Sequence, residues 1–315
     1  MVAAPRTAGA LTHDIDYDVP VNPSRRDVLH ALVGALSTSF LAGASRAAPA
    51  AAPALTVEAL AGLERQSGGR LGVAIIDAAG SERGQHRADE RFPMCSTFKL
   101  LAVAAVLARV DRGQERLDRS LAFGESDLLE YAPVARARAA DGKLSVSEAC
   151  EAAITLSDNT AANLLLTLLG GPARLTAFAR SLGDASTRLD RDEPSLNECL
   201  PGDERDTTTP RAMARTLRAL LLGATLSKAS RDRLASWLAA STTGLQRLRA
   251  GLPSTWRAGD KTGSGHGGTT NDIAILWPPD GKPIIIAAYL TQTSASAEVR
   301  NGVFAELARR VAAQG

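Results

Sequence analysis

Leu71-Gly72-Val73-Ala74-Ile75-Ile76-Asp77 reads as a short, nearly all-apolar strand. Ahead of it, Thr56 can cap a helix that runs to about Gln66, and Gly68-Gly69 ends that helix. Three more strand-like runs lie near the other end of the chain: Trp256–Lys261, Asp272–Trp277 and Pro283–Leu290. Pro278-Pro279-Asp280-Gly281 supplies a turn between the last two. A closing amphipathic helix covers about Ser296 to Ala312, with Val299, Val303, Leu307 and Val311 on one face. The middle, from about residue 97 to 239, is helical: Leu100–Val110, Val146–Leu156, Thr160–Leu169, Leu175–Leu182, Pro210–Leu222 and Lys228–Ala239. Strands from both chain ends with helices between them predict an α/β (α+β) fold. One antiparallel sheet, flanked by helices, carries an inserted all-helical lobe. The expected division is 54–94 with 240–315 for the α/β lobe and 95–239 for the helical lobe. A cleft between two such lobes is a natural place for a site.

Composition narrows the function. With 315 residues, 45% of them hydrophobic, the chain can bury a sizeable core. A net charge of +2 leaves no electrostatic footprint for nucleic acid, and 4% aromatic residues give no stacking platform. Of four histidines, His13 and His30 fall in an N-terminal leader. His86 and His266 alone are too few for a multi-histidine zinc site, and neither metal nor cofactor is expected. Three cysteines, Cys95, Cys150 and Cys199, cannot all pair within one chain, so no disulfide framework is expected. Arginine outnumbers lysine 31 to 5, which makes each lysine informative. An arginine keeps its proton in a protein, whereas a lysine can lose it.

Residues 1–47 read as a targeting segment. Ser24-Arg25-Arg26-Asp27-Val28-Leu29 has the twin-arginine pattern, and an apolar run follows from Leu29 to about Ala44. Ser45-Arg46-Ala47 or the Ala50–Ala52 run offers a cleavage site. Export through the twin-arginine pathway, to the periplasm or beyond, is the expectation. No later segment offers roughly 18 uninterrupted apolar residues, so the mature chain is expected off the membrane.

Three short motifs could carry chemistry. In Arg91-Phe92-Pro93-Met94-Cys95-Ser96-Thr97-Phe98-Lys99, Pro93 breaks the preceding segment and an apolar helix follows Ser96. The serine then sits at a helix N-terminus, where free N–H groups and the dipole favour developing negative charge. Lys99, three residues on, shares its face; a bare S-x-x-K is equally a surface lysine one turn into a helix. Ser157-Asp158-Asn159 lies between two apolar helices, and taken alone is first of all an N-cap. Lys261-Thr262-Gly263-Ser264-Gly265 ends a strand. Its glycines would let a substrate approach the backbone closely, or make a plain turn.

In this order, S-x-x-K, S-D-N and K-T-G make the chain resemble the class A serine β-lactamases from about residue 56 to the C-terminus. The resemblance implies hydrolysis of the β-lactam amide bond of penicillins and cephalosporins through an ester on Ser96, and with it β-lactam resistance. It further implies small-molecule β-lactams as the only partners, and a monomer. The alternative is a DD-peptidase or penicillin-binding protein acting on peptidoglycan. Against it stands Arg191-Asp192-Glu193-Pro194-Ser195-Leu196-Asn197, which matches the family's E-x-x-L-N strip in the Ω loop, about 188–206. An acyl ester persists unless a base activates water. By resemblance Glu193 is that base, Asn197 helps hold the water, and Arg191 pairs with Asp206 to close the loop's neck. Lys99 and Glu193 both bear on activating Ser96, Ser157 relays a proton to the leaving nitrogen, and Lys261 sits beside it. The backbone N–H groups of Ser96 and Ser264 form the implied oxyanion hole.

Asn159 is implied to contact the acylamide side chain of the drug, and Tyr131, in Glu130-Tyr131-Ala132-Pro133, to form a cleft wall. Where many relatives place a carboxylate-binding Arg after K-T-G, this chain has Thr269-Thr270-Asn271. Arg247, in Gly244-Leu245-Gln246-Arg247, matches the position from which a subset of the family supplies that guanidinium, with Thr262 and Ser264 sharing the carboxylate. In disulfide-containing carbapenem-hydrolysing relatives the partner of Cys95 would fall at Gly265. The expectation is therefore three thiols without a matching partner.

Overall fold

Thr56 accepts a hydrogen bond from Ala59 N at 3.1 Å and starts helix α1 (Val57–Ser67), which stops at Gly68 in the left-handed conformation. The computed structural model describes residues 55–314; the leader, with Arg25 and Arg26, lies outside the described residues. Strands β1 (Arg70–Asp77), β2 (Glu82–His86) and β3 (Phe92–Pro93) follow, then a 3-10 turn at Cys95–Thr97 and helix α2 (Phe98–Asp111). Next come β4 (Ser120–Ala122), α3 (Pro133–Ala137), β5 (Lys143–Ser145), α4 (Val146–Thr155), α5 (Asn159–Leu169) and α6 (Pro172–Ser181). After a long loop come β6 (Thr207–Thr208), α7 (Pro210–Leu222) and α8 (Lys228–Ala239). The chain closes with β7 (Arg257–Ser264), β8 (Thr270–Trp277), β9 (Ile284–Thr291) and α9 (Ala297–Ala312).

The main sheet has the order β2-β1-β9-β8-β7, antiparallel throughout, so it is built from both ends of the chain. The unbroken apolar run in β1 follows from its surroundings. Leu71, Val73 and Ile75 face a core shared with Leu60 of α1 and Val303 and Leu307 of α9. Ala74 and Ile76 face the other core, with Met213 and Leu217 of α7 and most of α2. A strand covered on both faces loses the apolar–polar alternation. Helix α2 is buried from Phe98 to Ala108, including the side chain of Lys99.

Four readings are corrected. Strand β2 was passed over, because Glu82-Arg83-Gly84-Gln85-His86 is a polar edge strand with no hydrophobic periodicity. Strand β7 runs beyond the expected Lys261 to Ser264, so the whole of K-T-G lies within its closing residues. Pro93 does not simply break a segment, since Phe92–Pro93 pairs with Thr207–Thr208. Val299 is 38% exposed, and the buried face of α9 is carried by Val303, Phe304, Leu307, Ala308 and Val311.

Candidate active site

A cleft of about 320 Å³ opens between β7, the start of α5 and the 188–206 loop. Ser96, Tyr131, Ser157, Asn159, Asn197, Arg247, Thr262 and Ser264 line it, together with Thr243 and Gly263. Its nucleophile segment is pressed against β7. A Cβ on Gly263 would lie 2.7 Å from Met94 O and 3.1 Å from Cys95 Cβ. The glycine of K-T-G therefore makes room for the backbone that carries Ser96, where the sequence suggested room for a ligand.

Behind Ser96 lies a buried charge pair. The Ser96 hydroxyl donates to Glu193 Oε1 at 3.0 Å, and Lys99 Nζ lies 3.0 Å from the same oxygen. The Lys99 ammonium also donates to Ser157 O at 2.8 Å and Asn159 Oδ1 at 2.5 Å, with Ser157 Oγ at 3.3 Å. No side-chain surface of Lys99 or Glu193 is exposed. Burial pulls the Lys99 ammonium below its usual pKa, while the charge and hydrogen bond of Glu193 oppose that pull. The second oxygen, Glu193 Oε2, accepts from Asn197 Nδ2 at 2.5 Å. Asn197 Oδ1 is buried with no hydrogen-bond partner among the described residues.

Across the cleft, Lys261 Nζ donates to Ser157 Oγ at 3.0 Å and to Thr262 O at 2.9 Å. Burial, followed by the nearby Lys99 charge, holds Lys261 well below the usual ammonium range. Ser157 thus has a lysine on either side of its hydroxyl and a left-handed backbone (φ 59°), which few non-glycine residues adopt. The capping reading of S-D-N belongs to its middle residue. Asp158 accepts from Ala161 N in α5 and from Val134 N and Ala135 N in α3. That leaves Ser157 and Asn159, on either side, turned into the cleft.

At the outer end of β7, Arg247 donates to Gly263 O at 2.9 Å, Asn271 O at 2.6 Å and Ser264 Oγ at 2.7 Å. Burial lowers its pKa, against the raising charges of Asp272 and Asp260. Tyr131 is 52% exposed on the rim and is not packed in the core. At the loop's neck, Arg191 Nε donates to Asp206 Oδ2 at 2.6 Å, while Asp206 Oδ1 accepts from Asp190 N and Arg191 N at 2.7 and 2.9 Å.

Sequence reasoning missed three contributors. Asn163, one turn after Asn159 in α5, donates to Glu193 O at 2.8 Å and accepts from Glu193 N at 3.0 Å. A lone amide in Asn163-Leu164-Leu165-Leu166 was its signal. Thr243 shares a 2.6 Å hydrogen bond with Thr262, and nothing in its local sequence marks it. Asp260 pairs with Arg249 beneath β7, visible only as a carboxylate at a position facing inward. Cys95, Cys150 and Cys199 carry free thiols, and Cys199 Sγ lies 3.4 Å from Cys95 Sγ, a neighbour that nothing in the local sequence marks. Among the described residues no group of three or more His, Cys, Asp or Glu could hold a metal ion.

A family model described as "Beta-lactamase enzyme family" matches residues 55–314. Beta-lactamase CTX-M-8 of Citrobacter amalonaticus is 50% identical over 252 residues, covering 80% of this chain and 86% of that protein. Beta-lactamase OXY-2 of Klebsiella oxytoca is 48% identical over 252 residues, covering 80% and 87%. Among solved structures, an ancestral class A β-lactamase reconstruction superposes with a TM-score of 0.79 at 62% identity, over 81% of this chain and 98% of that one. A class A β-lactamase described as putative, PenP from Rhodopseudomonas palustris, gives 0.80 at 57% identity, over 82% and 99%.

Proposed function

The chain belongs to the β-lactamase enzyme family as a class A serine hydrolase, and from that premise we propose how its residues divide the reaction. Ser96 attacks the lactam carbonyl, with its proton passing to Glu193. The observation that carries this is the 3.0 Å hydrogen bond from Ser96 Oγ to Glu193 Oε1, while the donors of Lys99 are directed elsewhere. Lys99 pairs with Glu193 at 3.0 Å and holds Ser157 through its carbonyl. The N–H groups of Ser96 and Ser264 stabilise the oxyanion. Ser157, flanked by both lysines, hands a proton to the departing nitrogen. Glu193 and Asn197 then activate water against the ester, which distinguishes a hydrolase from a penicillin-binding protein of the same motif set. Asn159 and Tyr131 meet the acylamide side, and Arg247, Thr262 and Ser264 hold the substrate carboxylate.

Glu193→Ala tests the scheme. Removal of a positioned general base costs about 10²- to 10⁴-fold. The variant should accumulate benzylpenicillin on Ser96, read in the intact mass as the whole drug added. Turnover near the wild-type rate with no adduct would show that Glu193 is not the deacylation base.

Class A relatives are exported enzymes, and we assign the route here to Arg25 and Arg26 through the twin-arginine pathway, with residues 1–47 removed and a monomer released. Arg25→Lys with Arg26→Lys should retain the protein in the cytoplasm on fractionation. The functional halves are taken as 54–94 with 240–315, and 95–239, meeting at the cleft.

A further inference from the structure

Cys95 and Cys199 stand 104 residues apart in sequence, one beside the nucleophile and one in the 188–206 loop, with their sulfurs 3.4 Å apart. Three observations make the pair more than a chance contact. Both residues hold left-handed backbones, φ 45° and 53°, a region that side chains other than Asn and Asp seldom adopt. Gly265 leaves the space the sulfurs fill: a Cβ there would come within 2.6 Å of Cys199 Sγ and 2.8 Å of Cys95 Sγ. Cys199 also lines a second cavity of about 360 Å³, walled by Arg70, Arg91, Pro93 and Leu200, which shares no lining residue with the catalytic cleft.

We propose that Cys95 and Cys199 form a thiol–disulfide exchange site, which closes to a covalent bridge between the nucleophile turn and the Ω loop when a low-molecular-weight disulfide is present. Cys199 is the entry point, being on the cavity wall, whereas Cys95 is wholly buried. Its thiolate attacks one sulfur of the external disulfide, forming a mixed disulfide and releasing one thiol. Cys95 then attacks Cys199 Sγ and expels the second thiol. Two protein thiols lose two electrons, the reagent disulfide gains them, and the two thiol protons leave on the released thiols. The hydrogen bond from Cys95 lowers the Cys199 thiol, while the same contact and burial raise Cys95, an asymmetry that suits this order of attack. Closure needs the sulfurs to approach from 3.4 Å to bonding distance, about 2.05 Å. Cys150, in α4, is buried away from both cavities and takes no part.

The test uses the mature enzyme, reduced, desalted and equilibrated with oxidised glutathione. It is then unfolded in N-ethylmaleimide. The reduced enzyme should carry three maleimides; the oxidised enzyme should carry one, with tryptic peptides 92–99 and 192–205 joined. The bridge should raise the thermal midpoint by roughly 5 °C, reversibly with dithiothreitol, because it constrains a long loop of the unfolded chain. Cys199→Ser should show neither the bridge nor the oxidant-dependent shift. Three maleimides after oxidation, glutathione retained on Cys199 without a bridge, or a bridge that leaves the midpoint unmoved would each overturn the proposal.

Discussion

Strand β7 enters the cleft with all eight of its residues in register with β8. The 188–206 loop that faces it has one 3-10 turn, Ser195–Asn197, and beyond it only scattered backbone hydrogen bonds, such as Leu196 N to Asp192 O and His266 N to Asn197 O, with side chains at the key points. In the strand a repeating ladder fixes the backbone, and Lys261, Thr262 and Ser264 project from a frame that does not depend on them. In the loop the frame leans on individual side chains: Asp206 gathers Arg191 and two backbone N–H groups, and Asn163 clamps both backbone groups of Glu193. Position in the strand is therefore redundant, and position in the loop rests on single residues. A substitution in the strand should remove chemistry and leave the shape. A substitution in the loop should remove both.

The strongest way to break this contrast is Asp206→Ala. Asp206 is 1% exposed, and its loss leaves Arg191 Nε and two backbone N–H groups without their acceptor, while Arg191 Nη1 keeps Glu198. Breaking a buried pair from one side costs about 3–5 kcal/mol. Urea unfolding should show that loss, and acyl-enzyme hydrolysis should slow with it. A variant as stable as the parent would mean the loop has support other than its neck. On the strand side, Arg247→Ala should lower kcat/KM for penicillins by roughly one to two orders of magnitude, from about 1.5–3 kcal/mol of charge-assisted binding. Its unfolding midpoint should move less than that of Asp206→Ala. An unchanged kcat/KM would leave the carboxylate to Thr262 and Ser264.

The smallest effect sharpens the comparison at the opposite edge of the sheet, where ion pairs meet solvent. Burial works against ionisation of Glu64, but hydrogen bonds and charges from Arg87 and His86 together outweigh it and lower the carboxyl to about 2. A carboxyl below its unfolded value of 4.5 stabilises the fold above that pH and loses the contribution as pH falls toward 2. Glu64→Gln should cost no more than about 1 kcal/mol at neutral pH, as solvated pairs do. The gap between variant and parent should close as unfolding is repeated from pH 5 down to about pH 2. A gap that stays constant with pH would mean the side chain matters for packing and not for charge.

What could be read from the sequence follows the same contrast. Helices α7 and α8 were bounded to the residue, because an apolar stripe and a Thr or Ser cap declare them locally. Strands β1, β8 and β9 declared themselves by burial on both faces. Strand β2 did not, since its identity comes only from the neighbour it pairs with. In the cleft, residues within the three motifs and the E-x-x-L-N strip were legible. Asn163 and Thr243 were not, because each acts on a residue many positions away and has no local pattern to mark it. Cys199 failed for a sharper reason: the place its sulfur occupies is created by a missing side chain, at Gly265, just past the end of β7.

The sheet ends in two edge strands, β2 and β7, each paired on one side only, and the chain treats them differently. Along β2 the sequence Glu82-Arg83-Gly84-Gln85-His86 sets charged and polar groups on the border, which discourages another chain from adding itself there. Along β7, Thr262, Gly263 and Ser264 border the cleft, so the same kind of unfinished edge is kept open but roofed by the loop. An edge strand is a template for any molecule carrying an amide in extended form. A cleft of about 320 Å³ is on the scale of a small molecule with an acylamino arm and not of a folded protein's edge. The hazard that every open sheet carries is here narrowed, by the size of the entrance, into a filter for guests.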